Sequence, residues 1–468
     1  MASSVSSRSS TATQELAALA NALLSDKRTA PSSVLSELFS KADPAVAKAT
    51  TVEESATRNT PPRALGRDNG GFGLGTAAAR LASLVRPTPT AEAQLTTNTL
   101  LARLIAPSGL GTSGLIRAAP LAPSAPAAPA PRDDDEEMPE LFCPGPVRDD
   151  PALGELVNEQ TVKWAEEVGI YPGRLDHLRA ANFGRLIMLA HPSTNDPDRL
   201  LAATKMVVAE WSSDDYYLDE EEVGADAVTA AARFALIYGV VDPVALPARY
   251  AVEFDTFIEE EPIARAYRSG MTHLAKYTTV DQMARFQHQM AILYTTLDQN
   301  ASWRVSKQRP KIWEYLLHRE HNSYLPPMIL IDPVAGYELA AAEFYHPRVR
   351  RPILMVGLAA VLLNDLNSAG KESADDYSLP GLLVAEEGCT PRQALKRTVE
   401  IHNELMHNFV LEAAGLSVTG SLALRRFFAD LWAWCGGSRE WHATTRRYHP
   451  QSAMKATDRA ENGARRSR

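Results

Sequence analysis

Residues 196–220 read DPDRLLAATKMVVAEWSSDDYYLDE. Asp196 is placed to cap a helix, and Pro197 suits its first position, where a missing N–H costs nothing. The stretch Asp196–Tyr217 then reads as an apolar helix that ends in carboxylates. No alternating strand pattern bounded by hairpin turns occurs in this part of the chain. On an α-helix Asp215 and Asp219 lie four apart and share a face, with Asp214 on the flank. Clustered carboxylates repel unless something positive sits between them. Hard oxygen donors of this kind suit Mg²⁺, which takes one or two carboxylates with substrate phosphate and water. The competing reading is a solvated acidic helix end, although acids at a C-terminus oppose the helix dipole.

About 150 residues on, Leu362–Glu372 reads LLNDLNSAGKE. Asn364, Ser368 and Glu372 follow at i, i+4 and i+8, so an amide oxygen, a hydroxyl and a carboxylate fall on one stripe. They close the very apolar helix that contains Ile353. Alone, this stripe is as readily an ordinary polar helix end.

The same helical texture fills residues 139 to about 450. Further helices are expected at Pro151–Val168, Ala225–Tyr238, Val280–Ala301, Lys311–Ser323, Arg350–Asn367, Thr390–Ala414 and Ser421–Trp434. Several are apolar nearly all round, as befits helices lining a buried cavity. This is one large all-α domain. Residues 1–138 differ, being rich in Ala, Ser, Thr and Pro; the Pro/Ala segment Ala118–Pro131 favours extended polyproline II and cannot build a core. They are expected to be disordered, as is the polar tail 451–468.

Composition sets further bounds. The chain has 468 residues, a net charge of −9 and three cysteines. Cys143, Cys389 and Cys435 lie far apart and fit reduced thiols, not a disulfide framework or a zinc site. No basic patch invites a nucleic acid. No secretory signal opens the chain, and the most apolar stretch, Ile353–Leu363, is about half of the ~20 residues a membrane span needs. A soluble, cytoplasmic protein is expected. The acidic run Arg132–Glu137 follows no apolar helix and reads as a solvated spacer. His402 and His407 are misspaced for zinc, and His288 reads as a core residue.

Taken together and in this order, DDxxxD and NDxxSxxKE resemble the two metal-binding motifs of class I terpene synthases. Two further segments match that family. YLLHREHNSYLP places Arg319 45 residues ahead of Asn364 (364 − 319), near the arginine that senses diphosphate there. RRY places Arg447 and Tyr448 at the family's C-terminal pair. The segments LFCPGPVRDDPAL, AANFGRLIMLAHP and WAWCGGSREWHATTRRYH are similar to bacterial 2-methylisoborneol synthases within the family.

The resemblance implies a helical bundle around a deep apolar cavity. It implies three Mg²⁺ ions held by Asp214, Asp215, Asp219, Asn364, Ser368 and Glu372. It implies a diphosphate gripped by Arg319, Lys371, Arg447 and Tyr448. The implied substrate is 2-methylgeranyl diphosphate, made by a separate methyltransferase, and the implied product is 2-methylisoborneol. Alternatives are 2-methylenebornane, formed by deprotonation, or cyclisation of geranyl or farnesyl diphosphate. A homodimer is compatible with it. Phe183, Trp211, Tyr217, Trp303 and Tyr345 are candidates for the aromatic wall, against plain core packing. Asn367 departs from the family, which carries an aromatic in NDLYS, and so does the wording of DDYYLDE; neither removes a ligand.

Overall fold

Pro151–Val168 (α1) begins where the Asp150 carboxylate accepts from the Leu153 amide at 3.0 Å, and it stops at Gly169, whose left-handed backbone (φ 79°) an L-residue resists. The computed structural model describes residues 138–219, 224–368 and 377–447. Every regular element among these is helical. The expected disorder of 1–138 and of the C-terminal tail therefore lies outside the described residues, apart from Met138.

After α1 come Leu175–Ala181 (α2), Phe183–Ala190 (α3) and Pro197–Asp214 (α4). The Asp196 cap is present, accepting from the Asp198 amide at 2.9 Å with Pro197 in the first turn. Then follow Ala227–Val241 (α5), Ala248–Glu260 (α6), Pro262–Leu274 (α7) and the long Val280–Ser306 (α8). Ile312–His321 (α9) breaks before Pro326 and Pro327, as those prolines require. Short turns Leu325–Met328 (α10), Ile331–Val334 (α11) and Ala341–Phe344 (α12) lead into Pro347–Ser368 (α13). The chain closes with Leu379–Glu387 (α14), Pro391–Thr419 (α15) and Leu422–Thr444 (α16).

The main packing pairs are α13 with α15, α5 with α8, α1 with α3, α3 with α16, and α4 with α7. All-round apolar α13 has Ile353, Val356, Ala359, Ala360, Leu362, Leu363 and Leu366 buried. Two glycines permit close helix contacts. A Cβ on Gly184 would stand 2.2 Å from the Asn158 backbone nitrogen, and one on Gly437 2.5 Å from the Leu189 carbonyl carbon. Those contacts draw α3 against α1 and α16. No helix among the described residues is long and apolar enough to cross a membrane.

This frame fixes the functional surfaces. Helices α4 and α13, which end in the two oxygen-rich motifs, and α9, which carries Arg319, all reach one cleft.

Candidate active site

At its C-terminus α4 does not simply stop. It widens into a π turn, Asp215–Asp219. The expectation that Asp215 and Asp219 stack four apart on an α-helix is corrected accordingly: each π turn accommodates an extra residue, and such turns gather at functional sites. The turn is pinned from outside. Arg304 on α8 donates to the Leu218 carbonyl at 2.6 Å, and Arg233 on α5 donates to the Tyr216 carbonyl at 3.4 Å. Asp215 is buried, and its two carboxylate oxygens accept from Tyr171 Oη at 2.7 Å and Arg447 Nη2 at 3.3 Å. Asp214 is half-buried and faces the same cleft. The Asp219 side chain lies outside the described residues.

Across the cleft, α13 delivers Asn364 and Ser368. Between them sits Asp365, only 1% exposed. Its Oδ1 accepts from Arg319 Nη2 at 2.5 Å; its Oδ2 accepts from Tyr315 Oη at 2.9 Å and from the Leu379 amide at 3.1 Å. Arg319 also donates to Asn364 Oδ1 at 3.2 Å and to the Asn322 carbonyl at 3.3 Å. The arginine is thus tied directly to the second motif. Sequence reasoning missed Asp365, whose partners come from two other elements, α9 and α14.

Beside Arg319, His318 bonds through its ring to Gln299 (3.1 Å) and Asn322 (3.3 Å). Burial, reinforced by the Arg319 charge, pushes its imidazole down to about 3. It is neutral at physiological pH and adds no second cation beside the arginine.

The C-terminal arm is anchored where Thr445 Oγ1 donates to the Ala181 carbonyl at 2.8 Å and Trp441 Nε1 to the same oxygen at 2.9 Å. This anchoring carries Arg446 and Arg447 into the cleft. The cleft has a volume of about 680 Å³, within the ~300–1,000 Å³ usual for small-molecule sites. Asp214, Asp215, Arg319, Asn364, Ser368 and Arg447 all line it. So do Arg174 and Arg304, which sequence reasoning did not single out. Their positions carry no motif and could be found only from the fold. Lys371, Glu372 and Tyr448 lie outside the described residues.

Of the aromatic candidates, Phe183, Trp211 and Trp303 line the cleft. Trp211 packs on Phe183 (centroids 5.2 Å apart) and stacks on Tyr324 (5.6 Å). The other two candidates, Tyr217 and Tyr345, do not line it. Tyr217 is buried against Phe234 under Arg233. Tyr345 is 41% exposed and hydrogen-bonds His288 at 3.3 Å.

The donors that the two helix ends bring to the mouth, from Asp214, Asp215, Asn364 and Ser368, are carboxylate, amide and hydroxyl oxygens, so they suit a hard cation. Among the described residues no group of three or more His, Cys, Asp or Glu side chains could hold a metal alone. The third expected ligand of each motif, Asp219 or Glu372, falls outside that set. Oxygen donors on two helix ends, arginines over the same mouth and aromatic rings in its wall fit the class I terpene synthase arrangement that the sequence motifs implied.

Comparison with known proteins agrees. The family described as "Terpene synthase family 2, C-terminal metal binding" matches residues 205–408, which contain both helix ends. A 2-methylisoborneol synthase of Saccharopolyspora erythraea is 32% identical over 317 residues, spanning 66% of this chain and 89% of the relative. One from Streptomyces ambofaciens is 33% identical, spanning 73% of this chain and 80% of the relative. A crystal structure of 2-methylisoborneol synthase from Streptomyces coelicolor A3(2), in complex with Mg²⁺ and 2-fluoroneryl diphosphate, superposes with a TM-score of 0.64 at 31% identity. It covers 67% of this chain and 98% of that one. The chain belongs to the terpene synthase family and is a terpene cyclase similar to the bacterial 2-methylisoborneol synthases.

Proposed function

We propose that this chain ionises 2-methylgeranyl diphosphate in the presence of Mg²⁺ and cyclises the cation to 2-methylisoborneol, releasing diphosphate. One observation carries the reading: Asp214, Asp215, Asn364 and Ser368 meet Arg319 and Arg447 around one cleft. The similarity to 2-methylisoborneol synthases supports the choice of substrate and product.

In this reading Asp214, Asp215 and Asp219 hold metal from one side, and Asn364, Ser368 and Glu372 from the other. Three ions are expected. Bound Mg²⁺ supplies Lewis-acid neutralisation of the diphosphate charge and a template for its oxygens. Arg319 and Arg447 offer planar forks to the phosphate oxygens, joined by Lys371 and Tyr448. Asp365 holds the Arg319 fork in register. No protein nucleophile is needed, because the leaving diphosphate takes the electron pair of the breaking C–O bond. Phe183, Trp211 and Trp303 keep water off the cation and steady it through their ring faces, an attraction of up to about 2 kcal/mol when desolvated.

Purified full-length chain incubated with the methylated substrate and Mg²⁺ should release diphosphate, and chelation with EDTA should stop it. Turnover that survives chelation contradicts the metal assignment.

A further inference from the structure

One turn inside the first motif lies a carboxyl that the reaction described above does not use. Glu210 is four residues ahead of Asp214, so on α4 it shares that face and sits one turn deeper. Val361 stands in the same relation to Asn364 on α13, three residues ahead of it. Between these two helices is a smaller cavity of about 110 Å³, lined by Glu210, Val361, Leu293, Leu297, Ser323 and Tyr324. It shares Trp211, Asp214, Arg319, Asn322 and Asn364 with the main cleft. The two spaces therefore adjoin, and Glu210 lines the smaller one.

Glu210 is 9% exposed, and its Oε1 is sealed from solvent with no hydrogen-bond partner. Its main chain is engaged, the Glu210 carbonyl accepting from Ser213 Oγ at 2.7 Å, but its carboxyl has no such bond among the described residues. Leaving a buried polar group unpaired is unfavourable, and nearly all such groups in folded proteins are paired. A leucine would fill the site more cheaply. A carboxyl without a partner among the described residues, at a cavity also lined by Asn322, Ser323 and Asn364 as well as by Leu293, Leu297 and Val361, fits a polar guest that arrives with the substrate.

We propose that Glu210 is the positioning residue that holds the water ending the cyclisation, and so sets the ratio of alcohol to olefin. This rests on the functional reading given above. A water takes about 30 Å³ in the liquid and needs two to four polar partners. The cavity has that room, and Asn322 and Ser323 supply further polar atoms in the same lining. Burial pushes the Glu210 carboxyl well above the usual carboxylate range. That shift favours the neutral acid, which both donates and accepts and so can orient a water. It is also a far weaker nucleophile than a carboxylate, so it does not trap the cation as an ester.

The step balances. A lone pair on the held water forms the C–O bond to the cationic carbon. The resulting oxonium loses its proton to the diphosphate already released in the cleft, leaving the neutral alcohol. Glu210 ends as it began. Where no water is held, the cation loses a C–H proton to the same diphosphate and leaves as an olefin.

The test is the alcohol-to-olefin ratio, read by gas chromatography with mass spectrometry at matched conversion of 2-methylgeranyl diphosphate. Wild type, Glu210→Gln, Glu210→Leu and Glu210→Met are compared, with water labelled with heavy oxygen to confirm the source of the hydroxyl. Loss of folding lowers both products together and does not move the ratio. The ratio should fall at least about tenfold in Glu210→Leu, equivalent to ~1.4 kcal/mol between the two barriers. Glu210→Gln, which keeps donor and acceptor, should recover most of it. Glu210→Met keeps the length without the polarity and decides the matter if the leucine variant does not fold. An unchanged ratio in the apolar variant of an alcohol-producing wild type overturns this inference alone. A wild type that makes only olefin, or that rejects the methylated substrate, overturns the functional reading and the inference with it.

Discussion

Replacing Asp365 with asparagine should cost the protein both stability and the alignment of Arg319. Asp365 is 1% exposed and serves three donors: Arg319 at 2.5 Å, Tyr315 at 2.9 Å and the Leu379 amide at 3.1 Å. Asparagine keeps the shape but removes the charge, and it turns an NH₂ toward one of those donors. Breaking one side of a buried charge pair costs about 3–5 kcal/mol. The Arg319 side chain is 13% exposed, so water relieves part of its loss and the lower end, about 3 kcal/mol, is expected. In a domain this large each kcal/mol moves the melting midpoint by roughly 2 °C, so calorimetry should show a fall of about 6 °C. A loosened arginine should also lower kcat/KM by more than about tenfold. In the double variant with Arg319→Gln the two losses should fail to add by about 2 kcal/mol, because the residues share one interaction. A midpoint within about 1 °C of wild type, together with strict additivity, would refute the reasoning.

Asn364→Leu and Glu372→Gln should each abolish turnover while circular dichroism stays unchanged; wild-type activity in both variants would sink the assignment of the second motif. Removing residues 1–138 should keep turnover within about tenfold of the full chain, or ~1.4 kcal/mol, as their Pro/Ala-rich composition implies. Gly437→Ala should destabilise by at least about 1–3 kcal/mol in a urea melt, because the added methyl meets backbone of α3 that cannot swing away. His191 is buried with neither ring nitrogen hydrogen-bonded, and burial, helped by Arg148, pushes it down to about 3. Its folded form thus prefers the neutral ring, so its contribution is intact above the unfolded value of about 6.5 and drains away by about 1.4 kcal/mol per pH unit below it. His191→Leu should flatten that acid limb of the stability curve, and an unchanged slope would disprove the point.

The helices that carry the site were legible because they are long, apolar and capped. Asp196 and Pro197 announced α4, and the run around Ile353 announced α13. The π turn at Asp215–Asp219 was not legible, since α and π windings use the same residues and the carbonyls of the turn are held by Arg304 and Arg233, which lie far along the chain. Helix α6 escaped notice because little of its apolar side is buried; Tyr250 is 50% and Val252 66% exposed. Motif spacing found Arg319, whereas Asp365, Arg174 and Arg304 gain their roles from neighbours distant in sequence. Which of the candidate aromatics line the cleft was not legible, because an aromatic residue carries no mark of the side it faces. Glu210 lay unnoticed inside an apolar run, and its meaning came only from the cavity it lines.

The most direct test of the central claim is the ratio of kcat/KM for geranyl, 2-methylgeranyl and farnesyl diphosphate on the full-length chain with Mg²⁺, with products identified by mass spectrometry. One methyl group in an apolar pocket discriminates by only about 1–3 kcal/mol. The methylated substrate should therefore lead geranyl diphosphate by roughly 10–200-fold and yield 2-methylisoborneol, with geranyl diphosphate turned over slowly. Farnesyl diphosphate, longer by an isoprene unit, should overfill the cavity and give little cyclised product. Preference for farnesyl diphosphate would contradict the assigned substrate while leaving the cyclase fold and its motifs standing.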